Sequence, residues 1–154
     1  MSPPAVTVSE LTPTELPLVD NHLPLNRLDQ HAREQSTYLI AWENGLPVGH
    51  AHLAWSDTHL GLPEIQDVFV LPDKRRLGIA TQLTHAAESE ARRRGWDRMS
   101  LSVSRDDNAA AAQLYAKLGY VDAGVEPVRV LGQITIRGRP LDVDDTLVYL
   151  VKEL

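Results

Sequence analysis

The segment from Ile65 to Arg94 constrains the fold more than any other part of the chain. Ile65 to Leu71 reads as a strand closed by Pro72-Asp73, and Gly78 to Arg94 reads as a helix stopped at Gly95. Along that helix Ile79, Leu83, Ala86, Ala87 and Ala91 make one apolar stripe. Glu88–Arg92 and Glu90–Arg94 have the i,i+4 spacing of ion pairs on the other face. Between strand and helix lies the turn Arg75-Arg76-Leu77-Gly78-Ile79-Ala80. A basic, glycine-bearing turn at a helix start is an anion cradle: first-turn N–H groups have no intrahelical partner, and the helix dipole adds partial positive charge there. Gly78 permits close backbone approach, and Arg75 and Arg76 add charge. The second glycine and Lys-Ser/Thr of a P-loop are missing, as are the three spaced glycines of a dinucleotide fingerprint. The turn predicts a site for a different phosphorylated cofactor.

The charge distribution agrees. The net charge is −6, yet Lys74, Arg75, Arg76, Arg92, Arg93, Arg94, Arg98 and Arg105 fall in one stretch that holds only Asp73, Glu88, Glu90 and Asp97 as acids. A basic segment in an acidic protein suits an anionic cofactor and a cationic second substrate. It argues against nucleic-acid binding, which wants a broad basic face. The 154 residues, 43% hydrophobic and 23% charged, fit one domain spanning 1–154. No apolar run approaches membrane-spanning length, and Met1-Ser2-Pro3-Pro4-Ala5 does not resemble a secretory signal. The absence of cysteine excludes disulfides and thiol nucleophiles, and fits a cytoplasmic location.

Elsewhere the pattern predicts strands at Ala5–Val8, Tyr38–Trp42, Val48–Trp55, Met99–Val103, Tyr120–Ala123, Val128–Ile136 and Leu147–Val151. It predicts short helices over Pro13–Val19 and Leu23–Glu34, and another from the cap residues Asp106-Asp107-Asn108 to Leu118. Turns are expected at Glu43-Asn44-Gly45, Arg137-Gly138 and Asp144-Asp145. The order is that of an α+β layer arrangement around a mixed, mostly antiparallel sheet.

Two motifs then carry a resemblance. Arg75-x-x-Gly78-x-Ala80 is similar to the pyrophosphate-binding motif of the GNAT superfamily of acetyl-CoA-dependent N-acetyltransferases. Asn108 to Tyr120, with Tyr115 seven residues into a helix that ends at Leu118-Gly119-Tyr120, resembles that superfamily's second motif. The close resemblance spans Glu64 to Val121. It implies the GNAT fold, with a sheet of about six to seven strands and about four helices. It implies acetyl-CoA as co-substrate, no metal, and transfer to a primary amine. An alternative is an inactive acyl-CoA-binding module of the same fold.

By the same resemblance, main-chain groups of Val68, Phe69 and Val70 would bind the pantetheine arm, with an oxyanion donor near Val68. Residues Arg75, Arg76, Leu77, Gly78, Ile79 and Ala80 would cradle the pyrophosphate, and Asn108 would contact the cofactor or simply cap its helix. Tyr115 would protonate the leaving thiolate. Glu64 is the first candidate for general base. Simple alternation places it on a face with Gln66, Val68 and Val70, and Asp67 on the other; ordered water is the third option. Relatives of this kind often form homodimers.

Two further clusters remain. His50 and His52 could share a zinc ion, but no third or fourth ligand is evident, and lining a substrate groove suits them better. Asp142, Asp144 and Asp145 read as a solvated turn that could also draw in a cationic amine.

Overall fold

The computed structural model describes residues 5–28, 31, 35–105 and 109–154. Strand β1 (Val6–Glu10) leads into α1 (Leu16–His22). Before α1, Thr12 and Glu15 exchange backbone-to-side-chain hydrogen bonds at 3.0 and 3.3 Å, the reciprocal pattern of a capping box. The regular helix begins at Leu16, three residues after the expected Pro13. Leu23 is the C-cap of α1, and the helix expected over Leu23–Glu34 lies partly outside the described residues.

The hairpin of β2 (Ser36–Glu43) and β3 (Leu46–Ala54) turns at Asn44-Gly45, both in the left-handed region. Strand β4 (Glu64–Val70), a 3-10 turn (Pro72–Lys74) and α2 (Ile79–Arg93) follow. Then come β5 (Arg98–Ser104), α3 (Ala109–Lys117), β6 (Val121–Asp122), β7 (Val128–Ile136) and β8 (Arg139–Glu153). They form one 8-stranded sheet in the order β1-β2-β3-β4-β5-β8-β6, with β7 paired to β8. Three α-helices are described, one fewer than the sequence suggests, and the strands are slightly more numerous.

Every strand pairing is antiparallel except β4 with β5, which is parallel and confined to Glu64↔Ser100 and Ile65↔Leu101. Beyond Ile65 the two strands splay. A bulge lies at the same place: Gln66 pairs with His52 and Phe69 with His50, so Asp67 and Val68 together oppose Ala51. Asp67 takes φ 53, an unusual conformation for a side-chain-bearing residue. Just past the bulge, Gly49 pairs with Val70, and a Cβ on it would sit 2.9 Å from the Phe69 carbonyl oxygen, so only glycine admits this approach of β3 to β4.

Each face of the sheet has its own core. One holds Leu39, Leu53, Ile65, Met99 and Leu101 against Ile79, Leu83, Ala87 and Ala91 of α2 and Tyr115 of α3. The other holds Tyr38 and Ile40 against Val19, Leu23 and Leu25.

Two expectations are corrected. Glu88 does not pair with Arg92 at the surface. It is 1% exposed, accepts a hydrogen bond from the Tyr120 hydroxyl (2.8 Å) and pairs with Lys152 (3.0 Å). Glu90 engages Arg94 as expected and Arg93 as well. Asp144-Asp145 is no turn, because β8 runs straight through both. Leu141-Asp142-Val143-Asp144 keeps the period-two alternation of a strand, and that pattern overrides the turn preference of paired aspartates.

Candidate active site

Helix α2 begins without a side-chain cap: Gly78 stands at its N-cap with φ 80 and makes no side-chain cap hydrogen bond. Arg76 also has positive φ, at 65. Successive turns of this kind gather backbone N–H groups into a concave anion site. A Cβ at Gly78 would meet nothing within 4 Å, so the space over the turn is open. The two arginines differ in attachment. Arg75 Nε donates to the Val70 carbonyl (2.9 Å) and its guanidinium lies 5.5 Å from the Phe69 ring centre, clamping the end of β4. Arg76 is exposed.

A cavity of about 500 Å³ runs from this turn into the splay between β4 and β5. Of the residues expected at the cofactor, Val68, Phe69, Val70, Arg75, Arg76, Gly78, Ile79, Ala80 and Tyr115 line it. Leu77 does not, and its side chain is 65% exposed. Asn108 lies outside the described residues. Thr81, Ala110, Ala111 and Leu114 line it too; the run Ala109–Ala112 was the available signal, since small side chains leave room beside a helix.

Tyr115 closes the inner end, 7% exposed and edge-on to Tyr120 with ring centres 5.8 Å apart. Burial pushes its phenol up to about 12, with the Thr84 hydroxyl acting weakly against that. It is therefore a neutral donor at pH 7.

Glu64 stands on the opposite face. The bulge reverses the expected alternation: Glu64 and Gln66 share a face with Phe69, through their pairings with Ala54, His52 and His50, while Val68 and Val70 turn toward α2. Asp67 was expected away from Glu64. Its charge instead bears on Tyr38 and His50, which belong to Glu64's face.

On that face a hydrogen-bond chain fixes its own polarity. A carboxylate only accepts, so the Gln66 amide nitrogen donates to Glu64 Oε2 (2.6 Å), leaving Gln66 Oε1 to accept from His52 Nδ1–H (3.0 Å). His52 Nε2 is then a lone-pair acceptor. His50 Nε2–H donates to the Pro24 carbonyl (3.1 Å), which makes Nδ1 an acceptor as well. Glu64 Oε1, Asp67 Oδ2, His50 Nδ1 and His52 Nε2 are all buried with no hydrogen-bond partner among the described residues. Burial lowers both imidazoles, His52 to about 4, so they are neutral at pH 7. Four buried acceptors without donors make this region receptive to a hydrogen-bond donor. Among the described residues, no group of three or more His, Asp or Glu could hold a metal ion.

Tyr149 of β8 completes this face. It pairs with Ser102, stacks on His59 with ring centres 4.3 Å apart, and feels the charge of Glu64. Sequence reading put Tyr149 in a strand, Leu147–Val151, but gave it no place in the site, because its pairing with Ser102 comes from register and not from local pattern.

The model of the acetyltransferase (GNAT) family matches residues 6–120. The chain belongs to that family. A comparison with curated proteins gives no match. Among solved structures, a GNAT acetyltransferase from Elizabethkingia anophelis with acetyl-CoA bound superimposes with a TM-score of 0.69 at 19% identity, covering 97% of this chain and 98% of that one. A putative acetyltransferase from Salmonella typhimurium with acetyl-CoA gives 0.68 at 22% identity, covering 97% and 94%. A ribosomal-protein-alanine N-acetyltransferase from Brucella melitensis gives 0.67 at 21%, covering 96% and 99%. These likenesses establish the GNAT fold, and the α2 turn and the splay of β4 from β5 are read within it.

Proposed function

We propose that the chain is an N-acetyltransferase that moves an acetyl group from acetyl-CoA to a primary amine by direct attack in a ternary complex. The observation that carries this reading is the cavity joining the uncapped α2 N-terminus to the β4–β5 splay, with Tyr115 at its inner end. The residues present fit the cofactor: open space over Gly78, first-turn N–H groups that a helix leaves without an intrahelical partner, and the exposed Arg76 suit a pyrophosphate. The bulged main chain of Val68 to Val70 suits an extended amide arm. Acetyl-CoA supplies the activated acyl carbon as a thioester.

The protein supplies the rest. The bulge sets two β4 residues, Asp67 and Val68, against one of β3, and a β4 N–H freed there would stabilise a developing oxyanion. Tyr115 donates to the departing sulfur. A phenol near 12 would give its proton to a free thiolate of pKa about 8.5 only uphill. The phenol would therefore act on the leaving sulfur first as a hydrogen-bond donor and give up its proton only as charge builds there.

An attacking alkylamine is an ammonium with pKa about 10 and must lose a proton. It reaches the splay from the face away from the cofactor cavity, where Glu64 stands. With Oε2 held by Gln66 and Oε1 unpartnered, Glu64 is a positioned proton acceptor. Asp67 and ordered water take second and third place. The chain has no cysteine to carry an acyl-enzyme.

Calorimetric titration tests the reading. Acetyl-CoA and CoA should bind, ATP and NAD should not, and an amine panel should then release thiol. Binding without turnover on any amine would indicate an acyl-CoA-binding module. No binding of either CoA species would remove the reading.

A further inference from the structure

The acceptor face of the sheet does not end at Tyr149. Residues two apart on a strand share a face, as do residues directly paired across an antiparallel ladder. The β5–β8 and β7–β8 registers run without a shift, so the face bearing Tyr149 continues through Leu147, Asp145, Val143 and Leu141 on β8. From β7 it gathers Val128, Val130, Ile134 and Ile136. Ser104 Oγ donates to Asp145 at 2.7 Å, as expected if both lie on this side.

The result is an apolar stripe about 27 Å long from Tyr149 to Leu141 at the ordinary strand rise. Neither core includes these residues. Ile134 is 42% and Leu141 49% exposed. The opposite face of the hairpin carries Arg129 paired with Asp144, and Gln133 donating to Asp142. Two of the three aspartates that could have drawn in a cation therefore point away from the acceptor face, and the third is bonded to Ser104.

The hairpin is also held over that face. At its tip Arg137 pairs with Asp20 of α1 (2.6 Å), and a cavity of about 420 Å³ lies between Ile136, Arg139 and the end of α1. One end of the acceptor face is thus a buried set of acceptors around Glu64, complementary to an ammonium. The other is an apolar run with no facing aspartate beyond the bonded Asp145.

Resting on the acetyltransferase reading above, we infer that the acceptor is an amphipathic amine, with its amino group at Glu64 and an apolar arm along the β7–β8 stripe, and not a polyamine. Each methylene laid on the stripe should raise kcat/KM about threefold to fourfold, whereas a second ammonium at the far end would have to be desolvated against valine and leucine.

The test compares butylamine, hexylamine, 2-phenylethylamine and hexane-1,6-diamine as acceptors. Hexylamine should exceed butylamine about tenfold and hexane-1,6-diamine by more than that. The double substitution Leu147→Ser with Val128→Ser, the pair next to Tyr149 on this face and within reach of a hexyl chain, should flatten the chain-length dependence while acetyl-CoA affinity holds. Equal or better use of the diamine, an unchanged chain-length dependence in the variant, or no alkylamine turnover with acetyl-CoA bound would each overturn the inference and leave cofactor binding standing. Loss of acetyl-CoA binding in the unsubstituted protein would remove the underlying reading as well. If light scattering shows a dimer that the double variant breaks while amine preference stays the same, the stripe is an interface between two copies and the inference falls.

Discussion

Two buried polar clusters, one on each face of the sheet, are built to opposite specifications. On the α2 face, Glu88 is closed on all sides: the Tyr120 hydroxyl and the Lys152 ammonium donate to its oxygens, and Lys152 lies 5.6 Å from the Tyr120 ring centre. On the other face, Glu64, Asp67, His50 and His52 each keep a buried polar atom with no partner among the described residues. A satisfied buried network gives a rigid structure, while an unsatisfied one has a desolvation cost that only a bound donor can relieve. On the proposed function, the contrast separates a group that holds the fold from a group placed for chemistry.

The sharpest way to break the comparison is at Glu88. Glu88→Ala would strand the Lys152 ammonium and the Tyr120 hydroxyl, and should cost about 3–5 kcal/mol in urea unfolding. Acetyl-CoA affinity of the folded protein should stay the same. A loss below about 1 kcal/mol would mean that the cluster relaxes to water.

The imidazoles sharpen the other side. His52 is neutral in the fold because its value is lowered to about 4 from an ordinary 6.5, so the unfolded chain binds a proton that the native state refuses. That contribution is fully present above pH 6.5 and is lost as the pH falls toward 4, to an upper limit of about 3 kcal/mol before solvent screening. His50 and His31 are lowered by burial as well and add to the same slope, with Asp67 opposing it at His50. Thermal midpoints measured from pH 7.5 to 4.5 should fall steeply, and less so in His52→Gln. Parallel curves would place the proton uptake elsewhere.

Tyr115→Phe should lower kcat about tenfold to a hundredfold with little change in acetyl-CoA affinity. Equal activity would assign thiolate protonation to solvent. The smallest effect is expected at Arg76, where Arg76→Ala should weaken acetyl-CoA binding a few-fold and reduce its salt sensitivity, as for an exposed charge near a phosphate. Arg75→Ala should also disturb the end of β4, because its side chain holds the Val70 carbonyl.

The contrast also explains what could be read from the sequence. The α2 stripe and the Arg75–Ala80 turn are local patterns, and the elements they define stand close to where periodicity puts them. Glu88 was misread because i,i+4 spacing to Arg92 is visible along the chain, whereas Lys152 and Tyr120 arrive from other elements. Faces on β4 were misassigned past Gln66, since a bulge at Asp67 leaves no mark in composition and reverses every later side chain. At β8, paired aspartates looked like a turn until the ladder with β7 showed them alternating outward. The cofactor side is thus legible as motif, and the acceptor side depends on strand register.

The most direct test of the central contrast is Glu64→Gln, with kcat/KM and unfolding free energy measured on the same preparation. The account predicts a loss of activity of about a hundredfold or more, with stability unchanged within about 0.5 kcal/mol or raised as a buried charge is removed. A stability loss comparable to that of Glu88→Ala, with activity retained, would contradict it and make Glu64 a second structural carboxylate.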